Sequence, residues 1–450
     1  VSPPEALLDL AVRVAGQAAA GEEVEAYVSR GHHTEVVAHG GEVESLSSAD
    51  TAGVGVRVVR DHRQGFAWSG SLEEDAVAGA LAEARDNASF AHPDPHLGLA
   101  APDGVAAAPI DPWSDEVATF ALAGKVEMAL DLERRVLAGD TRIRTLRSAS
   151  YDDGRMEAAV ATSTGIATTY RRTGCSIAAS AIAGDGGDTQ TGTGYSVARG
   201  PGGLDVEEAA ADAVERSTRL LGAGKPRSAR LTAVLDPRVT ATLLAVLSGI
   251  LNGESVLKGR SLFAGRVGEQ VAVPGLTLVD DPTDDDAFGA SAFDAEGLAC
   301  RRNRLIEDGV LQGFLYDTYA GRRAGLASNG CAVRGGFRGG PGAGARAVSV
   351  VPGSASAAEV LAQVGNGVLV QAVSGVHSGV NPVSGDFSVG AEGVMVRAGA
   401  LAEPVREITV ASTLQRMLQS VVAVGGDVEW LPGSAAGLTL AIADVSMSGA

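Results

Sequence analysis

The sequence predicts a two-domain α+β fold. Residues 1–225 are expected to pack N-terminal helices on a β-sheet, and residues 226–450 to form a β-rich domain with a large curved, mostly antiparallel sheet. Three observations carry that expectation. The chain holds 60 glycines in 450 residues and only 4% aromatics, a composition of many turns and closely approaching backbones. Short apolar runs bounded by glycine recur along it, as strands between turns do. Helical periodicity is confined to a few segments, and the last one in the first half, 205–222, stops at Gly222 and Pro226, which places a boundary near 225.

Residues 5–20 set Leu7, Leu8, Ala11, Val12 and Ala15 at the spacings of an amphipathic helix. Strand-like runs follow at Val24–Ser29, Thr34–Ala38, Glu42–Leu46 and Gly53–Arg60, and the polar turn from Arg60 to Gly65 leads into Phe66-Ala67-Trp68. A helix is expected over 73–89, broken by Ala91-His92-Pro93-Asp94-Pro95-His96 into a long connection that reaches about 113. Segment 115–138 is helical again, and 141–199 reads as strands joined by Asp-Gly and Gly-Gly turns. In the second half, Leu231–Leu235 is a strand and 237–251 an apolar helix. Leu305–Leu311 is a hairpin in which Asp308-Gly309 supplies positive φ. Ala357–Val364 is a short helix, Arg397-Ala398-Gly399 a hairpin turn, and 411–423 a helix with Leu414, Leu418 and Val421 on one face.

A net charge of −19 argues against a nucleic-acid backbone as principal partner, since that binding needs clustered Lys and Arg. No apolar run approaches the roughly 20 residues of a membrane span. The first residues, VSPPEALLDLAVRVAG, do not read as a signal peptide, so a cytoplasmic chain is expected. Cys175, Cys300 and Cys331 are odd in number and far apart, which implies neither a disulfide framework nor a cysteine zinc site.

Candidate chemistry is sparse. The stretch Gly375–Gly393 interleaves small residues and turn formers with His377, Asn381 and Asp386, a pattern that suits either a site or a tight connection between strands. Among the seven histidines, His92 and His96 have ligand spacing, but Pro93 and Pro95 forbid the helix it requires. His32 and His33 would point to opposite faces of a strand, and His39 would meet them only if the chain folded back. Cys331, near Arg334, could be a reactive thiol or a packed small residue. The acidic run 280–286 reads as a solvated loop, because it lacks spaced oxygen ligands. The loop Arg334–Ala345, RGGFRGGPGAGA, carries Arg334 and Arg338 and could cradle an anion, yet it lacks the lysine of a phosphate loop.

Several long motifs nevertheless occur together: FDAEG (293–297), LIEDGVLQGFLYDTYAGRRAG (305–325), GVNPVSGDFSVGAEG (379–393), EITVASTLQRMLQSVVAVGGD (407–427) and HGGEVESLSSADTAGVGVRVVRDHRQGFAWS (39–69). In these, and in their order, the chain resembles the TldD/TldE (PmbA) peptidase family. That resemblance implies a heterodimer enclosing a chamber. One subunit of it carries an HExxxH zinc motif on a helix, and a cysteine near its C-terminus completes the metal site. Here the helix position falls at about Ala245–Ile250, AVLSGI, and the cysteine position at about Leu431–Ser434, LPGS. Neither contains a histidine, glutamate or cysteine, and apolar side chains cannot bind zinc.

The resemblance therefore implies the TldE side: a metal-free, non-catalytic subunit with zinc in its HExxxH-bearing TldD-like partner. Such a subunit would close the chamber over unstructured peptides or ribosomally made precursors. His377, Asn381, Asp386, Arg334 and Arg338 are its candidate contacts to peptide, chamber or partner. Two alternatives stand beside it: a metal-free homodimer that binds peptide, and a stand-alone hydrolase using Cys331 or His377 with Asp386.

Overall fold

The computed structural model describes residues 3–449. The first half is one six-stranded antiparallel sheet carrying helices on one face. Its elements are α1 (Pro3–Ala15), β1 (Glu22–His39), β2 (Glu42–Arg60), β3 (Arg63–Ser69), α2 (Glu74–Phe90), α3 (Glu116–Thr119), α4 (Leu122–Gly139), β4 (Ile143–Thr162), β5 (Ala167–Asp185), β6 (Asp188–Ala198) and α5 (Val206–Thr218). The strand order is β3-β2-β1-β4-β5-β6. The four short runs expected between residues 24 and 60 are in fact two long strands, paired from Glu22 with Arg60 to His39 with Glu42. The alternation of faces continues through Gly31 because β2 and β4 pair with β1 on both sides.

Strand parity sorts the side chains. Val24, Ala26 and Val28 of β1 lie beneath α1 and α2, and Val36 and Ala38 lie beneath α4 and α5. Glycine lets these helices sit directly on the sheet. A Cβ on Gly65 would stand 2.0 Å from Ala84 O of α2, and one on Gly194 would stand 2.0 Å from Ala209 O of α5. Some of the glycines thus serve helix-on-strand contact rather than turns.

The second half opens with β7 (Ala229–Leu235) and α6 (Pro237–Ile250), started by Asp236, whose carboxylate accepts the Arg238 N–H. Its six-stranded sheet runs Ala400–Thr413, Asp386–Arg397, Gly367–Ser374, β7, Leu440–Ser448 and Val421–Val424. A further pairing of Ala400–Thr413 with Leu440–Ser448 closes it into a barrel. All neighbours are antiparallel except Gly367–Ser374 with β7, which are parallel and joined through α6 and the long segment after it. The largest core cluster fills this half, from Leu235 and Leu244 to Ile442. The expected helix at 411–423 is shorter, Leu414–Gln419: residues through Thr413 complete a strand, and the β-branched Val421, Val422 and Val424 form the next one. No helix among the described residues is long and apolar enough to cross a membrane.

Candidate functional site

The two halves meet across the helix-free face of the N-terminal sheet, and a buried ionic seam joins them. Glu25 of β1 pairs with Arg57 of β2 at 2.6 Å and with Arg334 of the C-terminal half at 2.7 Å. Arg57 also reaches Glu296 at 3.4 Å, and Glu296 accepts the Thr318 N–H at 2.9 Å and the Thr318 hydroxyl at 2.6 Å. Burial by itself would raise the Glu25 carboxyl, but the two guanidinium groups outweigh it and hold the carboxyl below its ordinary range.

Arg334, expected to face a chamber or a partner, is instead inside this seam. Its side chain is 1% exposed, stacks 4.4 Å above the Tyr27 ring and donates to Ala295 O. The rest of its loop clasps the N-terminal sheet. Phe337 lies over Gly53 and Gly55, where a Cβ would come within 2.5 Å of it, and the exposed Arg338 stacks on Trp68 at 5.0 Å. The anion cradle read into RGGFRGG is therefore an interdomain clasp.

Gly375–Gly393 is a turn and the strand after it. Val376–Gly379 is one helical turn, and Asp386 begins the strand Asp386–Arg397. Asn381 is engaged locally, its side-chain oxygen accepting the N–H groups of Val383 and Ser384. Asp386 accepts the Ser384 hydroxyl at 2.6 Å. His377 is exposed and is not hydrogen-bonded to Asp386, so no His–Asp pair forms there. Val376 lines the same narrow apolar interior as Thr242 and Val246, which sets this turn beside α6. The outer face of α6 is bare: Ala245 and Gly249 are exposed, and no atom lies within 4 Å of where a Gly249 Cβ would stand.

The remaining candidates are structural. Cys331 is buried, and burial followed by the nearby Asp280 pushes its thiol well above the ordinary value, which rules it out as a ready nucleophile. Asp280 is not solvated as expected but fully buried, accepting the N–H groups of Arg346 and Ala347. His39 ends the strand that holds His32 and His33 and does not fold back on them. Asp94, between His92 and His96, accepts the His96 N–H and the Tyr319 hydroxyl, so this connection straps the two halves together.

His32 and His33 do take opposite faces of the sheet, and each borders a cleft. On the helix face a cleft of about 540 Å³ is lined by the ion pair of Arg30 and Glu157, by Trp113, and by His32 with Asp50. His32 Nδ1 is 2.8 Å from Asp50, and its Nε2 is 3.2 Å from the Thr34 hydroxyl, which also accepts from Lys125. On the opposite face, between the halves, a cleft of about 290 Å³ has Gly154 and Gly174 on its floor. His33, Asp152, Arg172, Ser176, Phe288 and Pro432 surround it. Pro432 belongs to Leu431–Ser434, so this cleft borders that turn.

Sequence reasoning missed Glu25, Arg57 and Glu296. FDAEG was visible as a motif, but no local pattern tells a charge on a second buried face from one in solvent.

Comparison with known proteins covers the whole fold. Residues 24–88, 115–221 and 228–449 match the models for domain 1, the central domain and the C-terminal domain of PmbA/TldA metallopeptidases. The chain is 29% identical over 434 residues to the metalloprotease PmbA of Escherichia coli O157:H7, covering 94% of this chain and 92% of that one. It is 30% identical over 375 residues to an uncharacterised protein of Methanocaldococcus jannaschii, covering 82% and 83%. Among solved structures, TldE of Thermococcus kodakarensis shares the fold with a TM-score of 0.88 at 23% identity, over 95% of this chain and 97% of that one. A Bacteroides thetaiotaomicron protein, described by a suggested link to DNA gyrase, superposes with a TM-score of 0.87 at 26% identity, over 99% of each chain.

Proposed function

The chain belongs to the PmbA/TldD metallopeptidase family, and on that premise we propose that it is the non-catalytic partner subunit of a heterodimeric zinc peptidase. The observation that carries the proposal is the outer end of α6. Where the family resemblance puts an HExxxH motif, this chain has Ala245, Val246, Leu247, Ser248, Gly249 and Ile250, and the turn at Leu431–Ser434 has no thiol. These residues do not fit a metal: none offers a nitrogen, thiolate or carboxylate ligand. Among the described residues, no group of three His, Cys, Asp or Glu is placed to hold one. Hydrolysis therefore belongs to the zinc site of an HExxxH-bearing, TldD-like subunit, and no step of it is assigned to this chain.

This chain's part is enclosure and binding. Pairing the small, bare face of α6 and the exposed turn at His377 with a second subunit would wall off a space from folded proteins. Unstructured polypeptide or a ribosomally made precursor would be admitted as an extended strand, a form recognised largely through its main chain. His377, Asn381, Asp386 and Arg338 are on the surface and open to such contacts. Arg334 is withdrawn from that role.

The test is co-expression with an HExxxH relative from the same genome. We expect a stable complex by size-exclusion chromatography that cleaves reduced, unfolded casein, with this chain inactive by itself. Failure to associate would sink the proposal. Cleavage by the isolated chain would assign it an activity of its own.

A further inference from the structure

One edge of the N-terminal sheet is left open. β2 runs beside β1 over its whole length, but β3 covers the outer edge of β2 only from Val54 onward. There Val54 pairs with Ser69, and the chain turns away into α2. Along residues 42–52 the only strand paired with β2 is β1, and among the described residues no other main-chain hydrogen bond reaches them. All eleven of these residues are exposed. The free edge has a limit at each end. A bulge drops Glu44 from the register between Val43 and Ser45, and Phe337 with the Ser69 carbonyl crowds Gly53. Between those limits, residues 45–52 keep regular register with residues 37–30 of β1. That is a straight rail about 26 Å long, at about 3.3 Å per residue, with a row of unpaired N–H and C=O groups.

The side chains of this rail leave its main chain accessible. Residues 45–52 read SLSSADTA, small apart from Leu46, with neither the proline nor the lysine that commonly blunts an edge. Its charges are all of one sign: Glu42, Glu44 and Asp50 are carboxylates, and residues 42–52 contain no Lys or Arg. The Asp50 side chain is 84% exposed and touches only His32, so it is open to a cation. On the other face Glu35 of β1, also exposed, lies opposite Ser47, which is too short to cover it. Arg30, opposite Ala52, is the nearby cation, and Glu157 already holds it at 2.5 Å. Such an edge turns away an acidic strand and favours a basic one. It also disfavours a second copy, which would bring another acidic edge and another net charge of −19.

We propose that residues 45–52 of β2 are a docking edge for an extended basic peptide, an assignment that rests on the peptide-handling reading above. The peptide adds as a further strand in line with β3. Main-chain pairing holds it whatever its sequence, and its alternate side chains supply the selection. A lysine or arginine directly opposite Asp50 has its Cβ about 4.5–5.5 Å from that of the aspartate, within reach of its carboxylate. One on the opposite face extends over Ser47 toward Glu35. This edge is a different surface from α6 and the turn at His377, so a chain held here is gripped apart from the position of cleavage.

The test uses the full chain by itself, so its failure leaves the co-expression result untouched. The probe is an acetylated and amidated peptide of about nine residues, enough to span the rail, alternating lysine with threonine and valine. Its two controls are the same peptide with glutamate for lysine, and the lysine peptide methylated at its backbone nitrogens, which keeps the charges but has no main-chain N–H. Hydrogen exchange read by mass spectrometry should slow at residues 42–53 when the lysine peptide is added, and the methylated peptide should give no such protection. By calorimetry the glutamate peptide should bind about tenfold or more weakly, with the gap narrowing as salt is raised. Asp50→Asn, which keeps an acceptor for the His32 ring, should weaken the lysine peptide about two- to fivefold. Unchanged exchange at 42–53, equal binding of the lysine and glutamate peptides, or full binding of the methylated one overturns the proposal. So does protection of the same segment that rises with chain concentration and no peptide, which would assign the edge to a second copy. Protection by an HExxxH-bearing subunit that the lysine peptide cannot displace overturns it as well.

Discussion

Asp317 shows how single buried carboxyls tie this fold to pH. It is 4% exposed and caps the helix Thr318–Ala324 by accepting the Ala320 N–H. Burial, reinforced by Glu296, pushes its carboxyl up to about 6, and burial likewise raises Asp280 to about 6 and Asp294 to about 7. The folded state thus holds these protons more tightly than the unfolded chain, where an aspartate titrates near 3.8. Their contribution to stability is complete below that value and is lost as pH rises through 6 to 7. The urea midpoint should therefore fall between pH 5 and pH 8. Asp317→Asn keeps an acceptor for the cap but cannot titrate, so it should flatten part of that fall; an unchanged slope would remove Asp317 from the explanation. None of this was legible from Asp317 in YDTYAG, because the shift joins burial to the charges of Glu296 and Arg57, which are distant in sequence.

At the scale of elements, glycine has two opposite meanings that the sequence writes identically. Gly194 in β6 is a contact: a Cβ there would also lie 2.5 Å from the Ala213 N of α5. Gly79 in α2 is exposed, and a Cβ there would meet nothing within 4 Å. Gly194→Ala should therefore destabilise by about 1–3 kcal/mol through overpacking. Gly79→Ala should stabilise by about 0.5–1 kcal/mol through helix propensity. Chemical denaturation of both variants checks the pair, and the same sign for both would refute this account. Elements with their own punctuation were legible: the helix Ala357–Val364 with its Ser356 and Glu359 capping box, the hairpin at Asp308-Gly309, and α6 behind Asp236-Pro237. What failed was continuity. Gly31 and Gly53 looked like strand ends but are interior positions of β1 and β2, Gly31 paired on both sides and Gly53 paired with Ser29.

At the scale of the molecule, the joint between the halves decides how the chain behaves. Its charges come from four separated places in the sequence, Glu25, Arg57, Glu296 and Arg334, and alternate with valine or glycine just as solvent-facing residues do. The seam was not legible in the sequence, because no single stretch carries more than one of its charges. The clasp Arg334–Ala345 makes the difference measurable. Arg334 is buried against Glu25, whereas Arg338, four residues on, stacks on Trp68 in solvent. Removing one partner of a buried pair leaves an uncompensated charge, so Arg334→Ala should cost about 3–5 kcal/mol. Losing an exposed cation–π contact should make Arg338→Ala cost only about 0.5–1 kcal/mol. Urea unfolding followed by circular dichroism compares them. The parent should unfold in a single transition, since the seam and the strap around Asp94 couple the halves, and Arg334→Ala should lower the midpoint and broaden the transition as the halves begin to open separately. Equal effects of the two substitutions would mean that the joint is held by Phe337 and the apolar contacts, with the ion pairs adding little.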